Sequence, residues 1–374
     1  MVVTVKKLKN ILMLVAVAGL TAFYFWSNKS DAVVVYAIYD QSKLGEVNMV
    51  MSVAEAVPQI CKNHAFLTYV PDFKKLSKEF DQTKTNLVVT AGKYGIDFLK
   101  TTETTKNVKF LLCVHQWFDI MKDLHDISVV MPKHAINDDL KAWAKKQNIQ
   151  LIPTQGVLHR MSAKAISAED TTMIHLKDAK VGIVLGGDAE MPNGKDWKLF
   201  SEKNVHEFGL QVCEFLKKTG YKVLVTNGPR TGAFIDSHNR NPNAHKDGKL
   251  DKISKTFLNT LITAGFKQGE HFEFFDFQFG KPSALKEIMA TVYKNKGFLI
   301  MPGESTSSIS ESIAVMPTVV YKVDSMNDAH QAYLDDLIQS RVAIIWPDVF
   351  DEAKSDYLAP ESQALLAVKV LLKG

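Results

Sequence analysis

The chain opens with a run of apolar residues, Ile11 to Trp26, broken only by Thr21 and closed by Ser27, Asn28 and Lys29. A helix over that run covers roughly 24 Å. This is short against a hydrocarbon core, but the interfacial aromatics Phe23, Tyr24, Phe25 and Trp26 extend its reach. Lys6, Lys7 and Lys9 precede it, and neither a clear small-residue cleavage site nor a lipobox-like cysteine follows. The pattern predicts an N-terminal apolar helix serving as a single-pass membrane anchor over residues 1–30, held in a lipid bilayer through residues 11–26. A cleaved signal and a buried helix are the alternatives. The lysine bias points the rest of the chain outward, although its membrane side stays open.

Beyond the run, short β-rich stretches alternate with helical periodicity. Val33 to Tyr39, His64 to Val70, Leu87 to Thr90, Phe110 to His115, Ile127 to Met131 and Ile149 to Pro153 read as strands, with helices such as Asp138 to Gln147 between them. After a polar stretch over 157–179 a second series begins with the strand Val181 to Leu185 and the helix Val205 to Lys218. Strands at Lys222 to Thr226, Phe272 to Phe277, Phe298 to Met301 and Thr318 to Tyr321 follow, with helices at Ile253 to Ala264, Ser283 to Tyr293 and Ser308 to Val315. Strands alternating with helices make parallel sheets covered on both faces, so the expected fold class is α/β with two Rossmann-like domains. The expected boundaries are 31–165 and 166–350, with a helical tail over 351–374 packing back on the domain junction.

Composition narrows the function classes. With 46% hydrophobic and 23% charged residues the chain is a folded protein, and a net charge of +4 with no basic stripe argues against nucleic acid as a partner. The three cysteines, Cys61, Cys113 and Cys213, form no CxxC pair, so neither a disulfide framework nor a thiolate metal site is expected. HExxH, GxSxG, Walker A and EF-hand patterns are all missing, as is the GxGxxG dinucleotide fingerprint.

In open α/β sheets ligands meet the carboxyl ends of strands, which directs attention to the loops that follow them. Gly186-Gly187-Asp188 gives a tight turn through which backbone can approach a ligand. Thr226, Arg230 and Thr231 lie in the loop after the next strand, where Arg230 offers a fork of donors suited to a diphosphate. Ser305, Thr306, Ser307, Ser308 and Ser310 put five hydroxyls into six positions at the start of a helix, more than capping needs. Glu304 or Glu311 could accept hydrogen bonds from sugar hydroxyls. In the first half, the loop Asp40 to Glu46, the loop Ala91 to Gly95, His115 and Lys133-His134 end strands, and Asp40, His115 and His134 are the candidate bases for an acceptor hydroxyl.

Together these loops resemble the mitochondrial-fission family of glycosyltransferase-like proteins over about residues 33–323. Asp40 to Met49 is similar to that family's first loop, with Ser42, Glu46 and Met49 departing from its Gly, His and Gln. Ala91-Gly92-Lys93 resembles its Ala-Gly-Arg, and Pro132-Lys133-His134-Ala135 its Pro-x-His-Asp. Gly186-Gly187, Val225 to Thr231, Pro282 and Ser305 to Glu311 resemble the loops of its second half. The resemblance implies a GT-B-like glycosyltransferase, or a protein derived from one, that takes a nucleotide-diphosphate sugar as substrate in an interdomain cleft and requires no metal or other cofactor. Gly186, Gly187, Thr226, Arg230, Thr231 and the Ser305 to Glu311 segment would hold the nucleotide. The other classes open are an extracytoplasmic two-lobed solute-binding protein and a non-catalytic membrane-attached adaptor.

Overall fold

The computed structural model describes residues 32–61, 64–67, 80–81, 83–102, 107–191, 195–246, 248–347 and 359–373. They form two compact units, one drawn from 32–130, 139–152 and 364–373 and the other from 131–138 and 153–363. The expected anchor, Ile11 to Trp26, lies outside the described residues. Among those residues no helix is long and apolar enough to cross a membrane. The expectation of an architecture, a location and a lipid partner set by an N-terminal transmembrane helix is corrected accordingly. Sixteen residues are in any case fewer than the ~20 a spanning helix uses.

In chain order the elements are β1 (Val33–Ile38), α1 (Leu44–Ala56), β2 (His64–Leu67), β3 (Thr85–Ala91), α2 (Gly92–Lys100), β4 (Val108–Cys113), β5 (Ser128–Pro132), α3 (Asp138–Lys146), β6 (Gln150–Thr154), α4 (Ala163–Ser167), β7 (Val181–Val184), β8 (Ala189–Glu190), β9 (Trp197–Lys198), α5 (Glu202–Thr219), β10 (Val223–Thr226), α6 (Lys252–Thr263), β11 (Phe272–Phe275), α7 (Leu285–Lys294), β12 (Phe298–Pro302), α8 (Thr306–Ile313), β13 (Thr318–Tyr321), α9 (Asp328–Gln339), β14 (Ile344–Ile345) and α10 (Gln363–Lys373).

The first sheet runs β2-β1-β3-β4-β5-β6. Its β1, β2, β3, β4 and β5 pair parallel, with Val33 opposite Thr85 and Leu111 opposite Ser128. All six residues of β1 are buried, the unbroken apolar pattern of a strand covered on both faces. Tyr36 keeps its hydroxyl satisfied there by donating to Asn86 Oδ1 at 3.2 Å.

The second sheet runs β11-β10-β7-β12-β13-β14, all parallel. Counted within the sheet this is the 3-2-1-4-5-6 order of a Rossmann sheet, whose strand order reverses between β7 and β12. Residues 157–179, polar in overall composition, carry α4 and bury Val157, Ile166, Ile174 and Leu176. A Cβ at Gly182, in the middle of β7, would come within 2.4 Å of Leu299 Cδ2, so glycine lets β7 and β12 pack closely under α7. Helix α5 buries Val205, Phe208, Val212, Phe215 and Leu216 on one face. Ser201 caps its start by accepting from the Asn204 N–H, and Gly220 closes its end at φ 65°. The Phe208 ring stacks on Tyr321 with centroids 3.8 Å apart. The buried Tyr321 hydroxyl donates to Val184 O at 3.1 Å and accepts the Gly186 N–H at 2.6 Å, tying β13 to the turn that follows β7.

Candidate functional site

Four loops of the second unit leave the carboxyl ends of β7, β10, β11 and β12 and meet at a cavity of about 240 Å³. It is lined by Leu185 and Gly187 after β7, by Thr226 to Thr231 after β10, by Phe277 and Ser283 after β11, and by Glu304, Ser305, Ser307 and Ser308 after β12. This is the place where the strand order reverses, and the crevice there is where open α/β sheets bind ligands. A larger cavity of about 320 Å³ in the first unit lies among Leu99, Lys100, Phe110, Asp123 and Ile127. It opens beside the amino ends of β4 and β5, with Lys100 and Asp123 paired at 3.2 Å, and is the weaker candidate despite its size.

The β7 turn and the β12 loop are fastened to one another. The Gly187 N–H donates to Glu304 Oε1 at 2.7 Å. Behind the turn, Asp188 is buried and its carboxylate accepts the Phe200 and Phe234 N–H groups at 2.9 and 3.0 Å, which marks it as a loop anchor. A Cβ on Gly187 would stand 2.9 Å from the Arg230 carbonyl carbon and 3.1 Å from its oxygen. Gly187→Ala is therefore expected to push the 228–231 loop outward and to destabilise by about 1–3 kcal/mol, as measured by urea unfolding. A loss below about 0.5 kcal/mol would mean that the two loops are not in contact.

Asn227 organises the next two loops. Its amide donates to Asp251 Oδ2 at 3.0 Å, Ser254 Oγ at 3.0 Å and Asp276 Oδ1 at 2.7 Å, while its oxygen accepts the Phe277 N–H at 2.6 Å. Thr226 Oγ1 donates to Phe275 O at 2.9 Å, and Thr231 Oγ1 accepts the Gly228 N–H at 3.0 Å. Both hydroxyls thus hold the loop in shape although both residues line the cavity. The half-buried Arg230 has no hydrogen bond or ion pair to its guanidinium among the described residues. An arginine fork left open beside a helix start is suited to a diphosphate or carboxylate.

That helix start belongs to α8. No side chain caps it, and Ser305 Oγ donates instead to Ser308 Oγ at 2.9 Å. Among the described residues the first-turn N–H groups thus have no side-chain acceptor, which suits an anion. Of the hydroxyl run, Ser305, Ser307 and Ser308 line the cavity, while Thr306 and Ser310 do not. Ser310 is buried and structural, accepting the Val157 N–H at 3.0 Å, donating to Thr306 O and contacting the Tyr333 hydroxyl at 2.8 Å. Glu311 and Gly186 also lie outside the lining. Burial raises the Glu311 carboxyl, with Lys286 opposing.

Glu304 stands apart. It is 4% exposed, and its Oε2 is buried with no hydrogen-bond partner among the described residues. Burial pushes its carboxyl up to about 7, with the Gly187 N–H and the Arg230 charge drawing it down and Asp188 adding to the rise. A carboxyl poised near neutrality in a cavity can accept a hydroxyl hydrogen bond or exchange a proton there.

The expected bases are not gathered at this cavity. Asp40 and His115 belong to the first unit and His134 to the second. Asp40 Oδ1 accepts the Ser42 N–H and hydroxyl at 2.9 and 2.7 Å, bonds that lower its pKa. His115 is exposed, with its ring edge-on to Phe118 at 5.5 Å. His134 Nδ1 is buried without a hydrogen-bond partner among the described residues, its ring lies 4.7 Å from that of Tyr333, and burial lowers its pKa to about 4 against the pull of Asp336. Phe277 and Ser283 were not singled out from the sequence. The rule that selected the other loops applies equally to the end of β11 and would have found them.

No family model and no curated protein matches the chain. Solved structures similar to it include the UDP-GlcNAc 2-epimerase of Methanocaldococcus jannaschii in complex with UDP-GlcNAc and UDP, at 8% identity over 91% of this chain and 100% of that one, with a TM-score of 0.43. The MnaA–UDP structure from S. aureus is similar at 9% identity, 92% and 97% coverage and a TM-score of 0.41. So is MurG from Acinetobacter baumannii, at 8% identity, 92% and 100% coverage and a TM-score of 0.42. With no family model matched, the resemblance to the mitochondrial-fission family is withdrawn. Short Gly, Ser, Thr and Arg loops at strand ends are what a phosphate-binding Rossmann sheet uses in general, so degenerate matches to them do not specify a family.

Proposed function

We propose that the second unit binds a nucleoside diphosphate or its sugar conjugate at the cavity between β7 and β12, and that the chain acts as a GT-B-like sugar-transferring protein. The observation that carries this reading is the Arg230 guanidinium, unpaired among the described residues, at the same cavity as the α8 start. Arg230 and the α8 amide and hydroxyl groups would hold the diphosphate and stabilise charge that develops on it as a sugar leaves. Glu304, with its carboxyl near 7, is the group matched to a ribose or sugar hydroxyl. Transfer would also need a base for the incoming hydroxyl. His134, which lies outside the cavity lining and whose pKa burial lowers to about 4, is poorly suited to that role.

Titration calorimetry of the full chain with uridine, adenosine and guanosine diphosphates and their sugar conjugates tests the reading. Micromolar binding to at least one member is expected, reduced several-fold by Ser308→Ala and unchanged by Glu311→Gln. Failure to bind any member would remove the proposal.

A further inference from the structure

Behind the loops that line the cavity lies a second cluster of groups to which no role has been given. His245, Asp251 and Asp276 each offer one ligand atom, and the three atoms lie within 4.8 Å of one another. Asp251 starts α6, Asp276 directly follows β11, and His245 comes from the long segment between β10 and α6. Three features single the cluster out from an ordinary pair of exposed acids.

His245 is 1% exposed, and its Nε2 lies 2.9 Å from Thr231 O. A carbonyl only accepts, so Nε2 carries the proton, and in the neutral ring the lone pair sits on Nδ1. That Nδ1 is buried and has no hydrogen-bond partner among the described residues. With Nε2 committed to Thr231, Nδ1 is the ring nitrogen whose lone pair is open to a metal. A backbone carbonyl fixing one nitrogen so that the other presents its lone pair is the usual support of a metal-bound histidine.

The two carboxylates are also short of positive charge. Asn227 bridges Asp251 Oδ2 and Asp276 Oδ1 through its amide, Ser254 donates to both oxygens of Asp251, and Gln278 donates to Asp276 Oδ2. All of these donors are neutral, and no ion pair reaches either aspartate among the described residues. Finally, the ring is held in place. Phe277 packs edge-on against it with centroids 5.8 Å apart, the His245 carbonyl accepts the Phe279 N–H at 2.9 Å, and the residue sits at φ 59°, a conformation that costs a non-glycine residue.

We propose that His245, Asp251 and Asp276 bind one first-row divalent cation, with Zn²⁺ preferred. One imidazole and two carboxylates are a donor set for Zn²⁺, which takes such ligands at about 2.0–2.2 Å. A cation at those distances would draw together three atoms that now lie within 4.8 Å of one another. It would neutralise the two carboxylates and satisfy the orphaned Nδ1. Its place is structural, because it fastens the segment carrying His245 to the loops after β10 and β11, and it takes no part in the chemistry at the cavity.

The test uses untagged full-length chain, stripped with chelator and then incubated with Zn²⁺, Mn²⁺ or Mg²⁺ and desalted. Elemental analysis should find one equivalent of Zn²⁺ per chain, and His245→Gln and Asp276→Asn should each abolish its retention. Both replacements keep size and leave the Asp251 cap of α6 intact, and circular dichroism establishes that they fold. In the wild type, free Zn²⁺ a hundredfold above its dissociation constant should raise the folding equilibrium constant about a hundredfold, seen as a rise in Tm of several degrees. Neither variant should respond. No retained metal, equal retention by the variants, or preference for Mg²⁺ independent of His245 would each overturn the proposal. Nucleotide binding is scored separately, so a failure here leaves the cavity assignment standing.

Discussion

Between pH 5 and pH 8 the unliganded chain should lose about 3 kcal/mol of stability through Glu304 alone. The carboxyl stays protonated in the fold up to about 7, whereas in the unfolded chain it ionises at its ordinary 4.5. Folding therefore takes up a proton between those values. Stability falls as pH rises through that window and levels off above it. Other groups titrate as well, His134 among them, so the quantity to measure is the difference between wild type and Glu304→Gln in urea unfolding at pH 5, 6, 7 and 8. Glutamine retains an oxygen for the Gly187 N–H and removes the ionisation. The two proteins should diverge toward low pH, with wild type gaining relative to the variant as its carboxyl is protonated. Parallel curves would mean that Glu304 is not buried as described.

Arg230→Ala should weaken binding of a nucleoside diphosphate by about 10- to 100-fold, the loss of one or two hydrogen bonds to a charged group at about 1.5–3 kcal/mol. Arg230→Lys should fall between the two, since it keeps the charge and loses the fork. Stability should barely change, because the guanidinium makes no hydrogen bond or ion pair among the described residues. Affinity measured by calorimetry at fixed ionic strength decides the matter, and an unchanged dissociation constant would exclude the arginine from the diphosphate site.

The second unit was the more legible half in the sequence. Its strands β7, β10, β12 and β13 are short, fully buried and mostly apolar runs, and the helices between them carry the 3.6-residue period, with α5 also bracketed by Ser201 and Gly220. The loops followed from the strand ends, which brought Gly187, Thr226, Arg230, Thr231, Ser305, Ser307 and Ser308 to one cavity. What a single sequence could not convey was direction. Ser310 and Ser308 look alike in a hydroxyl run, but two residues along a helix is a rotation of about 200°, and Ser310 turns into the core against Tyr333. The buried carboxyl of Glu304 and the cluster of His245, Asp251 and Asp276 depend on packing between loops 6 to over 100 positions apart, which no local pattern encodes. Residues 157–179 were misleading for the opposite reason, since Ile166, Ile174 and Leu176 are too widely spaced among polar neighbours to read as core.

The turn after β7 carries a further consequence. In a dinucleotide-binding Rossmann sheet the glycine loop turns its amides toward the pyrophosphate. Here the Gly186 amide is given to Tyr321 and the Gly187 amide to Glu304. With both already spent, the side of the cavity nearest β7 is hostile to phosphate and presents a carboxyl in its place. In the proposed binding mode the phosphates are left to the α8 start and Arg230, and the β7 turn offers an occupant the Glu304 carboxyl instead of free amides.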